Sequence, residues 1–150
     1  MLGAEVWIVG FEHPAGGPPA PLRKITRLSE EPSHPVAAAT GHPRDEGQDC
    51  DLVGRHVNGA TELSMGVYRM EPNQLHPLHY HRSGAELYYI IEGSCAITVD
   101  DDEVAAEAGT AIYLPEGTKH AVRTGPNESV TILWVFDEGD SERITTTWLE

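Results

Sequence analysis

The sequence predicts an all-β protein, a small antiparallel barrel or sandwich, and three observations carry that prediction. Between about residue 60 and 138, short apolar runs are separated by turn residues at regular intervals. The runs are rich in β-branched and aromatic side chains. No stretch of this region repeats its apolar residues at helical spacing.

Taken in order, Met65 to Met70 reads as a strand that ends at Glu71-Pro72-Asn73. Leu87-Tyr88-Tyr89-Ile90-Ile91 is a second, expected to turn at Glu92-Gly93. Cys95, Ile97 and Val99 alternate with Ala96, Thr98 and Asp100, the pattern of a half-buried strand. Asp100-Asp101-Asp102-Glu103 reads as a solvated hairpin tip. Ala111 to Leu114 is a short strand stopped by Pro115-Glu116-Gly117. His120, Val122 and Thr124 share a face before a turn at Gly125-Pro126-Asn127, and Val130 to Phe136 is a long apolar strand.

The first sixty residues differ in character. Pro14, Pro18, Pro19, Pro21, Pro32, Pro35 and Pro43 all fall there. Residues 1–59 are therefore expected to form a Pro- and Gly-rich extension, and residues 60–150 the barrel. Within the extension, Glu5 to Val9 suits an edge strand, Arg27 to Glu31 one helical turn before Pro32, and the remainder irregular chain. The extension is expected to pack along the barrel or reach across to a second subunit, with a homodimer as the default assembly.

Charge restricts the partners. Ten Lys plus Arg oppose 24 Asp plus Glu, for a net charge of −14. No basic face for nucleic acid is visible, and the chain is too short to hold a helix-turn-helix domain beside a barrel. No apolar run is long enough to span a membrane, and residues 1–20 lack the basic start and apolar core of a signal peptide. Cytoplasmic location is the resulting expectation. With only Cys50 and Cys95, a buried free thiol is expected rather than a disulfide.

The chemistry concentrates between residues 79 and 120. In His79-Tyr80-His81 the two imidazoles are two positions apart, so on a strand they point the same way and can reach one ion. Glu86 and His120, from neighbouring strands, would complete a set of three nitrogens and one oxygen. Such a set suits iron, nickel, copper, manganese or zinc better than calcium or magnesium. The residues alone leave open whether these are ligands or ordinary barrel side chains. Of the other histidines, His13, His34, His42 and His56 lie among Pro, Gly and charged residues and are expected in solvent, as is His76.

The spacing resembles that of the cupin superfamily. Its first motif, G-x5-H-x-H-x3or4-E-x6-G, is matched by His79, His81, Glu86 and Gly93, with Asn73 where the leading glycine stands. Asn enters the left-handed conformation more readily than most residues. Its second motif, G-x5-P-x-G-x2-H-x3-N, is matched by Gly109, Pro115, Gly117 and His120, with Thr124 in place of the final Asn. The resemblance implies a double-stranded β-helix of the jelly-roll type with one divalent transition metal in its mouth, held by His79, His81, Glu86 and His120. Four protein ligands would leave positions open for a small-molecule substrate.

Alternation adds further site residues. If Glu86 faces the metal, Tyr88 faces the same cavity, where it can hydrogen-bond a substrate or act as base; Glu86 itself is the other candidate base. Arg69 is a candidate anchor for a substrate carboxylate, and Trp134 a candidate pocket wall. Resembling cupins include dioxygenases, dimethylsulfoniopropionate lyases, sugar isomerases and polyketide cyclases. The leading expectation is a dioxygenase-type oxidoreductase acting on a small enolisable or phenolic substrate. A non-redox lyase, cyclase or isomerase and a non-catalytic metal or small-molecule binder are the alternatives.

Overall fold

The structure, a computed structural model, describes residues 17–150. Ten strands form one continuous antiparallel sheet that curls on itself: β1 (His34–Pro35), β2 (Gln48–Val53), β3 (Ser64–Met70), β4 (Leu75–His81), β5 (Glu86–Val99), β6 (Asp102–Glu107), β7 (Ala111–Leu114), β8 (His120–Arg123), β9 (Val130–Phe136) and β10 (Thr146–Trp148). A short helix, α1 (Val36–Thr40), follows β1, and a 3-10 turn covers Ser141–Arg143. The strand order is β1-β2-β3-β9-β5-β8-β4-β10, with β6 and β7 also paired to β5.

β5 joins the two faces. Its first half pairs with β7 and β9, its second with β6 and β8. The turn expected at Glu92-Gly93 does not reverse the chain. The register with β9 instead shifts between Ile90 and Glu92, and Gly93 takes φ 81°, so the strand bends from one face to the other without ending. A Cβ on Gly93 would stand 1.9 Å from Ser129 O, so no side chain fits there. Inside the fold, Met70, Ile90, Ile97, Leu114, Val122 and Ile132 form the dry core. The outward partners on β5, Leu87, Tyr89 and Ile91, are exposed.

Most expected elements are present. β3, β7 and β9 lie where the sequence put them, and the hairpin tip narrows to Asp100-Asp101 between β5 and β6. Asn73 adopts φ 59°, supplying the left-handed turn residue that the motif's glycine would otherwise supply. Thr124 donates from Oγ1 to Glu71 O at 2.6 Å and accepts from Gln74 N at 3.0 Å, tying down the same corner. Glu30 N and Glu31 N both bond Arg27 O, closing the expected turn over 27–31. Cys50 and Cys95 are buried free thiols.

The region before residue 60 is the main departure. The strand expected over Glu5 to Val9 lies outside the described residues. The rest is less irregular than its prolines suggest, because β2 adds a full strand beside β3. The sequence Gln-Asp-Cys-Asp-Leu-Val hides it, since Asp49 and Asp51 occupy positions where an apolar alternation would show. Among the described residues, no helix is long and apolar enough to cross a membrane.

Replacing Gly93 with Ala should destabilise the fold by about 2 kcal/mol or more, through both the left-handed backbone and the clash with Ser129. Thermal unfolding checks this. An unchanged midpoint would mean that the bend in β5 does not depend on a missing side chain.

Candidate metal centre and cavity

The site begins with β4. His79 and His81 point inward two positions apart, as a strand requires, and both are buried. β8 lies alongside, with His79 opposite His120. Glu86, the first residue of β5, closes the group from the other face of the fold. The ring nitrogens of His79, His81 and His120 lie within 4.8 Å of one another. Glu86 Oε2 lies 3.2 Å from His81 Nε2 and 3.1 Å from His120 Nε2.

Backbone carbonyls orient two of the rings. His79 Nδ1 donates to Pro77 O at 2.7 Å, and His120 Nδ1 to Thr118 O at 2.9 Å. A carbonyl only accepts, so each Nδ1 carries the proton and each Nε2 turns a lone pair inward. Thr146 Oγ1 lies 3.2 Å from His81 Nδ1 and steadies the third ring. Burial, reinforced by the neighbouring imidazoles, pushes His79 well below the usual histidine range, so it is neutral. Burial would raise the Glu86 carboxyl, but the adjacent His120 and His81 rings outweigh it and hold it down at about 2.

The two approaches to Glu86 are close enough for hydrogen bonds but poorly directed, so Glu86 Oε2 and His120 Nε2 are buried without an aligned partner. Buried polar atoms are seldom left this way. Ligand atoms around an ion bound at 2.0–2.2 Å lie roughly 3.0–3.4 Å apart, which matches the observed separations from Glu86 Oε2. The donor set and the inward lone pairs therefore fit a transition-metal ion held by His79, His81, Glu86 and His120.

A cavity of about 500 Å³ opens from this group, lined by His79, His81 and Glu86 at one end. Tyr68, Tyr88, Trp134 and Phe136 supply its aromatic walls. Tyr88 is buried, with its ring 5.8 Å from that of His120; burial and then the Glu86 carboxylate push its phenol well above the usual value. Trp134 lies on the wall as the sequence suggested, and its Nε1 donates to Asp49 Oδ1 at 2.8 Å. Arg69 does not join them. Alternation along β3 turns Tyr68 and Met70 inward and leaves Arg69 exposed, beside Glu71 and Glu92 on the outer surface.

Several site residues were not anticipated. His76, expected in solvent, is buried and bonds Asp45 Oδ1 through Nδ1 at 2.6 Å. The register of β4 against β8 shifts between His76 and His79, and this irregularity at Pro77 turns His76 inward although it is three positions from His79. Burial would lower His76, but the Asp45 carboxylate outweighs it and holds the ring's pKa above the usual value. His42 is likewise buried, and His34 and His56 are only partly exposed. Trp148, on β10 beside β4, packs with its ring tilted against His79 and His42, at centroid distances of 4.8 Å and 4.5 Å. A β-prone Thr-Thr-Trp run was the available signal for that strand.

Asp49, on β2, also lines the cavity. Burial, then the Asp51 carboxylate, raise its carboxyl from 3.8 to about 7 against the hydrogen bond from Trp134. No periodicity announces a functional carboxylate in a stretch this polar.

Comparison with known proteins agrees with this geometry. Residues 66–136 match the family described as Cupin domain. The tetracenomycin polyketide synthase protein TcmJ of Streptomyces glaucescens is 27% identical over 115 residues, spanning 77% of this chain and 71% of that protein. Among solved structures, the polyketide cyclase RemF of Streptomyces resistomycificus superposes with a TM-score of 0.70 at 20% identity, over 86% of this chain and 87% of that one. A Thermotoga maritima protein described as a predicted oxalate decarboxylase gives a TM-score of 0.65 at 18% identity, over 76% of this chain and 98% of that one. At these identities the structural likenesses speak for the fold. Family match, curled sheet and His-x-His…Glu…His cluster converge on one conclusion: residues 66–136 form a cupin domain.

Proposed function

We propose that the chain is a metal-dependent enzyme of the polyketide-cyclase kind, which folds a poly-β-ketone, or holds its phenolic product, against the four converging ligand atoms. The cavity carries this reading. At about 500 Å³ and walled by Trp134, Phe136, Tyr68 and Tyr88, it suits a flat, multi-ring molecule. Oxalate, a two-carbon dianion, would leave most of that space to water. Charge favours the same choice, since Glu31, Asp49 and Asp51 line the cavity while Arg55 is turned to Asp140 at 3.8 Å. The likeness to TcmJ and RemF supports the reading from outside the site.

Bound by His79, His81, Glu86 and His120, a divalent cation would supply Lewis acidity to a ketone or phenol oxygen. The chain's own residues do the rest. Trp134 and Phe136, with ring centroids 5.9 Å apart, form a wall against which a ring system can lie. Tyr88 lines the cavity and serves as a hydrogen-bond donor to a substrate oxygen, the first of the two roles its position suggested. Glu86 is committed as an ionised ligand, which leaves it poorly suited to act as the base. The His76–Asp45 pair packs edge-on against His79, with ring centroids 4.5 Å apart, and holds that ring in place.

A second reading, an oxygenase on the same class of enolisable substrate, keeps one support. The set of three imidazoles and one carboxylate serves iron, manganese or nickel as readily as zinc. Product formation by zinc-loaded protein under anaerobic conditions is the expected result. A strict requirement for dioxygen and a redox-active metal would move the assignment to the oxygenase.

His120→Ala should lose stoichiometric metal after reconstitution and dialysis, read by elemental analysis, while wild type keeps it. Full loading of the variant would refute the ligand set. A hydroxyanthraquinone probe should quench the fluorescence of metal-loaded protein through Trp134 and Trp148, and excess oxalate should not displace it. Displacement by oxalate would favour the small-acid chemistry instead.

A further inference from the structure

We infer that Asp49 is the proton-transfer residue of this cavity, taking a proton from carbon beside a substrate ketone and returning it to oxygen after ring closure. This rests on the cyclase reading above and adds the base that reading lacks. Glu86 is taken up with the metal group, and Asp45 is occupied by His76 on Oδ1 and by Thr40 Oγ1 on Oδ2 at 2.7 Å.

The surroundings of Asp49 are built to present one oxygen. Trp134 Nε1 at 2.8 Å and Cys50 N at 2.9 Å both donate to Oδ1, and Oδ2 takes part in neither bond. Gly66 makes the first of these possible. A Cβ there would stand 2.3 Å from Trp134 Cζ2, so only a bare backbone lets the indole lie flat and reach β2. Asp49 pairs with Tyr68, Tyr68 with Ile132 and Ile132 with Ile90, so β2 is three strands from β5, the strand that begins with Glu86. Asp49, His79, His81 and Glu86 line one cavity. A fused-ring or folded polyketone chain that fills it sets one oxygen at the metal group and a methylene near Asp49.

The step balances without an oxidant. The carboxylate takes a C–H proton, and that bond's electron pair becomes the enolate. The enolate carbon bonds a ketone carbon of the same chain, whose C=O pair moves to oxygen, and Asp49 returns the proton there. Loss of water then aromatises the ring. A carboxyl raised to about 7 by burial and by Asp51 suits both halves of this exchange near neutral pH. The ionisable groups around it are Asp51 and Cys50 on β2, His34 on β1, Tyr68 on β3 and His76 on β4.

The test uses full-length, zinc-loaded protein and Asp49→Asn, which keeps an oxygen to accept from Trp134. The probe is an ortho-hydroxyaryl methyl ketone of the naphthalene series, followed for deuterium uptake at its methyl group in D2O. The expected result is about 100-fold or greater loss of exchange in the variant, with metal content and probe binding unchanged. A readout independent of activity comes from unfolding across pH. Because folding raises this carboxyl, wild type should lose stability relative to Asp49→Asn as pH rises from 3.8 to about 7, and the gap should then stay constant. Carbon-13 NMR of the wild-type carboxyl, titrating near neutrality, covers the case in which the variant folds poorly. Equal exchange by variant and wild type, wild-type exchange no faster than buffer, a carboxyl titrating near 4, or loss of a second metal equivalent in the variant would each overturn the inference. Failure of wild type to bind the aromatic probe would instead overturn the cyclase reading itself.

Discussion

The centre of the fold is a group of buried polar side chains whose inward atoms do not satisfy one another. His79, His81, His120 and Glu86 are all buried, and their inward atoms meet without well-directed bonds. Leaving such atoms unpaired costs free energy, so the arrangement needs a scaffold that holds it against collapse. Backbone carbonyls at Pro77 and Thr118 and the hydroxyl of Thr146 provide that hold by fixing the far side of each ring. What remains is a space matched to one cation.

The rest of the architecture follows from reaching that space from several directions. β4 and β8 bring the imidazoles from one face, and β5 brings Glu86 from the other. β5 can serve both faces only because it bends at Gly93 instead of turning back. β10 then covers the outside of β4, so that Trp148 seals the space behind His79. Helix α1 and β2, from the segment before residue 60, also line the cavity with Val36, Asp49 and Asp51. The histidine and carboxylate cluster therefore belongs to the family-matched region, while much of the cavity lining lies outside it.

That division explains what the sequence could and could not convey. The clustering of His79, His81, Glu86 and His120 was legible because strand alternation and fixed glycine and proline intervals leave a local signature: His79-x-His81, Gly93, Gly109, Pro115 and Gly117. Asn73 was legible as a left-handed turn for the same local reason. His76 was not, because the irregularity at Pro77 reverses its phase against His79. Arg69 was misjudged because alternation alone does not say which face of β3 is inside. β2 was hidden because its inward positions are Asp49 and Asp51, polar for reasons of the cavity. His34, His42 and His56 were misjudged because their burial depends on distant parts of the chain, as His42 shows against Trp148 and Glu150, and no local pattern records that.

The central claim is that three imidazoles and one carboxylate hold a single ion at the mouth of the barrel. X-ray absorption at the metal edge of zinc- or nickel-reconstituted protein tests it directly. The account predicts a nitrogen and oxygen shell at roughly 2.0–2.2 Å with outer-shell scattering from three imidazole rings. A shell without imidazole scattering, or no bound ion after reconstitution, would contradict it.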